Sequence, residues 1–130
     1  MRKLKFILLF VLVLSIAVSL AACGGSSDSG SSSGSGPDVA AGEKVFNEKL
    51  IGTQPGCVTC HSLEAGVTMV GPSLDGVGSR LDEAGIRQSI TEPDAVVTEG
   101  FAAGIMPAAL AGELSDQQLN DVVAYLMTLK

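Results

Sequence analysis

The run Cys57-Val58-Thr59-Cys60-His61 constrains this chain more than any other stretch of it. Two thiols three residues apart fall on one side of a helical turn, and an imidazole follows at once. Cys-x-x-Cys-His is the pattern by which a protein attaches haem covalently and ligates its iron. Each sulfur adds across one haem vinyl group to form a thioether, and the adjacent imidazole projects toward the iron. Cys57 and Cys60 are therefore the expected attachment points of one haem c, and His61 an expected axial ligand. Val58 and Thr59 fill the turn and have no part in that chemistry.

The same residues have two competing readings. A thioredoxin-like Cys-x-x-Cys pair belongs near a βαβ pattern, and no convincing alternating strand run follows residue 37. A structural zinc usually takes four Cys or His ligands, whereas this chain has three Cys and one His, with Cys23 committed elsewhere.

Arg2, Lys3 and Lys5 precede an almost unbroken apolar run from Phe6 to Ala22, which is the pattern of a secretory signal. The run ends in Leu20-Ala21-Ala22-Cys23, which resembles the lipobox of bacterial lipoproteins. That resemblance implies that residues 1–22 are a signal peptide and that Cys23 carries a diacylglyceryl thioether at the mature N-terminus. An uncleaved anchor is the alternative, since 17 residues lie at the lower limit of roughly 17 to 25 for a membrane span. In both cases the basic residues stay inside. The domain is then expected on the outer face of the cell membrane and tethered to it, and two acyl chains suffice for stable anchoring.

Gly24 to Gly36 contains only Gly, Ser and one Asp, a composition that cannot bury a core and that reaches roughly 20 Å end to end. Residues 23–36 are thus the lipidated cysteine and a flexible leash, and residues 37–130 are the folded domain. Ninety-four residues make one small domain, and a chain this short gains from a large apolar group at its centre. Without the signal, five basic residues face 14 acidic ones, a net charge near −9. Nucleic acid is excluded as a partner, because a phosphate backbone requires clustered Lys and Arg. Acidic patches steer a basic partner surface or simply maintain solubility.

Helical patterns joined by glycine-rich loops fill the domain. Asp38 is the expected N-cap of a helix over Val39 to Leu50, in which Val39, Gly42, Val45 and Phe46 share a face. Leu81 to Ile90 is a weaker helical stretch, interrupted by Gly85 and ended by Pro93. Ser115-Asp116-Gln117-Gln118 has the capping-box pattern and opens a last helix with Leu119, Val122, Val123, Leu126 and Leu129 as its buried stripe.

Taken together, the domain resembles a class I cytochrome c, a small all-α fold wrapped around one covalently bound haem, over about 90 residues. Gly42 and Phe46 stand where that family places the small and aromatic residues of its first helix. Asp121-Val122-Val123-Ala124-Tyr125-Leu126 resembles its last helix. The resemblance implies that these terminal helices cross at close range, with Gly42 letting the backbones approach and Tyr125 packing near Phe46. It implies too that Val70-Gly71-Pro72-Ser73-Leu74 is the loop in which the Pro72 carbonyl accepts a hydrogen bond from the ligating imidazole. Such a bond fixes the tautomer and raises ligand basicity.

For the other axial ligand, His61 is the only histidine, so bis-histidine ligation within the chain is excluded. With Met1 lost in the signal, Met69, Met106 and Met127 remain. The resemblance favours Met106, whose setting Gly104-Ile105-Met106-Pro107 is similar to the family's distal-ligand loop. Arg87 and Arg80 are the basic side chains in mid-domain available to a haem propionate. Phe101, Leu74, Leu81, Ile86, Ile90 and Leu110 are expected to line the haem pocket or the general core.

His and Met on both axial positions leave no vacant site for oxygen or peroxide and raise the potential, so no enzymatic activity is expected. The resemblance implies a membrane-tethered carrier of single electrons. Its expected donor is a quinol-oxidising cytochrome complex, and its expected acceptor a terminal oxidase or a photosynthetic reaction centre. Residues 89–107 also resemble the cytochrome domain fused to subunit II of some oxidases, but the copper-binding part is lacking, so a freestanding protein is expected. The alternatives are an electron-transfer subunit of an oxidase or dehydrogenase complex and a haem-based sensor.

Overall fold

Asp38 starts the first helix as its sequence requires. Its carboxylate accepts from the backbone N–H groups of Ala40 and Ala41 at 2.9 and 3.1 Å, and α1 runs over Val39–Asn47. The computed structural model describes residues 36–130. The expected signal peptide (residues 1–22), Cys23 and all but the last residue of the Gly/Ser leash lie outside the described residues.

The first helix is shorter than its apolar pattern predicts. At Glu48 the backbone turns extended, and Leu50–Ile51 (β1) pairs antiparallel with Gln54–Pro55 (β2) in a two-residue ladder. Gly52, at φ +57°, makes the reversal between them, a conformation that costs glycine nothing. That hairpin buries Ile51 at 2% exposure and leaves Leu50 outside.

Three more helices follow. Val77–Arg80 forms the single turn α2, which the sequence hid because Gly76 and Gly78 flank and interrupt it. Gly78 is needed there. A Cβ on it would stand 2.5 Å from the Met127 carbonyl oxygen, and its N–H donates to the Leu129 oxygen at 2.8 Å. α3, Glu83–Thr91, starts later than predicted because Asp82 caps it, accepting from Gly85 N–H at 2.8 Å. A 3₁₀ stretch, Ala108–Glu113, leads to α4, Asp116–Thr128. The capping box is formed as read: Ser115 Oγ accepts from the Gln118 N–H, and Gln118 Oε1 accepts from the Ser115 N–H.

α1 and α4 pack on one another more extensively than any other pair of elements. Their crossing is as close as Gly42 permits, for a Cβ there would lie 2.0 Å from the Asp121 carbonyl oxygen. Phe46 and Tyr125 meet with ring centroids 5.7 Å apart, tilted by 50°. The buried face of α4 differs from the expected stripe: Val122, Val123 and Leu126 are buried, Leu119 and Leu129 only half so, and Asp121 and Tyr125 join them. Asp121 is buried because its Oδ1 accepts from the Asp38 N–H and from Gln117 Nε2, both at 2.7 Å. Its negative charge thereby sits at the positive end of α1.

Phe46, Ile86, Val122 and Val123 are less than 2% exposed, each contributing about 1.5 to 3 kcal/mol by burial. The fold is all-α apart from the small hairpin. Between its helices, stretches 60–76 and 92–107 are largely irregular, and both border the cavity described next. Among the described residues no helix is long and apolar enough to cross a membrane.

Candidate functional site

The Cys-x-x-Cys-His run is held in a tight turn by backbone hydrogen bonds and one side-chain bond. Cys57–Thr59 is a 3₁₀ turn, and the Cys57 carbonyl accepts from the N–H groups of Cys60 and His61 at 3.1 and 2.9 Å. Thr59 is not mere filler, since its hydroxyl donates to the Gly56 carbonyl at 2.6 Å. Gly56 opens the turn where a Cβ would lie 1.9 Å from the Glu48 oxygen. Both cysteines are free and half-buried. Burial pushes the Cys57 thiol up from its ordinary value, its own backbone N–H opposes this, and Cys60 and Glu48 add to the rise.

His61 is fixed from two sides. Its Nδ1 lies 2.8 Å from the Pro72 carbonyl oxygen. A carbonyl only accepts, so Nδ1 carries the proton and Nε2 keeps its lone pair. Gly71 packs against the ring itself: a Cβ on it would stand 2.5 Å from Cε1 and 2.8 Å from Nδ1. The Gly71 N–H donates to the Cys60 carbonyl at 2.8 Å, and the Leu74 N–H to that of Ser62 at 2.8 Å, which ties the proline loop to the turn. Gly71→Ala is accordingly expected to tilt the imidazole and stretch its bond to Pro72. In the haem-loaded protein the reduction potential should rise by on the order of tens of millivolts, because a weaker imidazole donor favours the ferric form less, read by spectroelectrochemical titration. An unchanged potential would show that the ring tolerates the methyl group.

A cavity of about 460 Å³ opens against this turn, within the usual range for a cofactor. Cys57, Cys60, His61 and Pro72 border it, and so does Met106. The other two methionines do not. Met69 is 48% exposed and Met127 packs on the helical core. All six expected apolar residues, Leu74, Leu81, Ile86, Ile90, Phe101 and Leu110, line the cavity, and Ile86, Ile90 and Leu110 also belong to the buried core.

The two arginines part company. Arg87 stands outside the cavity lining, its guanidinium donating to Asn120 Oδ1 at 2.9 Å and lying 3.6 Å from Glu83. Arg80 borders the cavity and donates to the Asp75 and Ser73 carbonyls. The sequence named both arginines, because only the fold shows that α3 turns Arg87 toward α4. The close approach of Gly71 to the imidazole had one signal in the sequence, its place just before Pro72.

Two thiols, an imidazole with a free Nε2 and a thioether thus converge on one apolar cavity, the donor set of a covalently held haem with both axial positions filled. Among the described residues no three His, Cys, Asp or Glu side chains gather to hold a metal ion, so the zinc reading lacks a ligand set. No βαβ unit accompanies the cysteine pair there either.

The fold and the site define a one-haem electron-transfer protein. Residues 39–130 match the family model for cytochrome c, and the chain belongs to that family. It is similar to cytochrome c2 iso-1 of Magnetospirillum molischianum, 32% identical over 90 residues that cover 57% of this chain and 90% of the relative. Proteins of the family are electron carriers rather than enzymes, and they bind one covalent haem c.

Proposed function

We propose that this cytochrome c works tethered to the outer face of the cell membrane, carrying single electrons from a quinol-oxidising cytochrome complex to a terminal oxidase or a photosynthetic reaction centre. The observation that carries the electron-transfer part is the meeting of Cys57, Cys60, His61 and Met106 at one cavity. The lipobox-like Leu20-Ala21-Ala22-Cys23 and the Gly/Ser leash support the tether.

In this reading Cys57 and Cys60 would hold haem c through thioethers, and His61 Nε2 and the Met106 sulfur would ligate its iron. When bound, the haem supplies reversible one-electron exchange at its iron. The protein does the rest. The Pro72 carbonyl takes the Nδ1 proton of His61 as a hydrogen bond, which keeps the ring in one tautomer and strengthens its donation. Apolar side chains such as Phe101 and Ile86 exclude water, which keeps the reorganisation small. Arg80, at the cavity edge, replaces Arg87 as the residue suited to a propionate.

Full chain made in cells that attach haem tests the reading in three steps. The pigment should stay with the protein in acidified organic solvent. The mature mass should begin at a lipid-bearing Cys23, and Cys23→Ala should abolish incorporation of labelled lipid. Membranes of the source cells should both reduce and reoxidise the haem. Pigment extracted by the solvent would remove the covalent site, and a mass that includes Met1 would replace the lipid by an uncleaved anchor.

A further inference from the structure

From Glu92 to Pro107 no residue belongs to a helix or strand, and Met106 stands near the end of that segment. Its two ends are fixed differently. Downstream, Pro107 opens the 3₁₀ stretch Ala108–Glu113, Leu110 is 3% exposed in the core, and Glu113 Oε1 accepts from the Thr53 hydroxyl at 2.6 Å. Upstream, α3 is anchored by its buried Ile86 and Ile90, but the chain then crosses to Met106 with little to guide it. Among the described residues, the backbone bonds formed on the way close two short turns, from the Ala95 N–H to the Glu92 carbonyl and from the Phe101 N–H to that of Thr98.

One further bond joins the two limbs of this segment. The Gly104 N–H donates to Asp94 Oδ1 at 2.7 Å, across ten residues. Asp94 follows Pro93, whose ring restricts the backbone, just beyond the end of α3, and both residues border the cavity. Gly104 has φ +76° and Gly100 φ +87°. A Cβ at either would meet nothing within 4 Å, so these glycines supply a backbone conformation and not space. Glycine adopts it without strain but loses the most freedom on ordering. Such a segment keeps one arrangement only where something ties it, and a carboxylate accepting from an N–H is among the stronger single ties.

We propose that Asp94 is a positioning residue that keeps the Met106 sulfur on the haem iron, by closing the loop two residues before it. This rests on the reading of Met106 as an axial ligand and adds what holds it there. A thioether favours ferrous iron, so its bond is weakest when the protein is oxidised. In that state a free upstream limb would let the sulfur drift out of reach and open the iron to small ligands. The clasp removes most of that freedom beforehand, so each return of the sulfur costs less entropy. Asp94 is exposed and belongs to neither helix of the α1–α4 crossing, so losing its bond should loosen the ligand without unfolding the domain.

The test uses the haem-loaded full chain in its ferric form, with imidazole as competing ligand and the sulfur-to-iron charge-transfer absorption as signal. At saturating imidazole the rate of replacement reports release of the sulfur. Asp94→Ala should raise that rate about tenfold. Asp94→Asn, whose amide oxygen still accepts, should stay within about threefold of the parent. The denaturation midpoint should move little in both variants, and the Gly104 amide of the reduced parent should be protected from hydrogen exchange. An alanine variant that releases the sulfur no faster than the parent, an asparagine variant as fast as the alanine one, or an unprotected Gly104 amide overturns the proposal and leaves the ligand reading standing. Faster release matched by a proportionate fall in the midpoint does the same. If the absorption persists in Met106→Ala, the ligand reading itself falls and takes the proposal with it.

Discussion

Met106→Ala protein is expected to keep its haem and to bind carbon monoxide in the ferrous state at about one per haem, where the parent binds none. The variant retains Cys57 and Cys60, so the pigment stays attached, while in the proposed reading the iron loses one donor. Among the described residues no other methionine or histidine is placed to substitute. Met69 and Met127 lie outside the cavity lining, and His61 is the only histidine. A thioether favours ferrous iron, so its loss should also lower the potential, by on the order of 100 mV within the span of about 0.8 V that axial ligands command. Absorption spectroscopy under carbon monoxide decides the matter. A variant spectrum identical to the parent's would transfer the axial role to another residue.

Gly42→Leu is expected to cost about 3 kcal/mol or more, at the upper end of what overpacking does. At Gly42 even the first carbon has no room, being 2.0 Å from the Asp121 oxygen, 2.4 Å from its carbonyl carbon and 2.9 Å from Tyr125 Cβ. Two of those three atoms are backbone and cannot rotate aside. The helices would have to separate, and with them would go the Phe46–Tyr125 ring pair and the bond from the Asp38 N–H to Asp121. Against a total of about 5 to 15 kcal/mol for a domain, that loss should shift the denaturation midpoint of the haem-loaded protein far toward lower denaturant. An unshifted midpoint would mean that the crossing is not what holds the ends of the chain together.

Local chemistry was legible in the sequence wherever one residue type does one job at a fixed spacing. Cys57, Cys60 and His61 lie within a single turn, so their convergence required no tertiary information. The same holds for Asp38 as a cap and for Ser115 with Gln118, whose bonds close within three residues. The last helix shows the limit of periodicity. Leu119 and Leu129 fit the apolar stripe but are only half-buried, while Asp121 is buried because a distant backbone N–H meets it.

What the sequence determined unaided is the turn that carries the cysteine pair, the caps and the alternation of helices with glycine-rich loops, because each depends on contacts a few residues apart. Which arginine borders the cavity, and why Gly71 and Gly78 must be glycine, was decided only by the tertiary structure. Those outcomes depend on where separate segments meet. A missing side chain records that something passes close by, but the neighbour itself is specified elsewhere in the chain and appears only when the chain is folded.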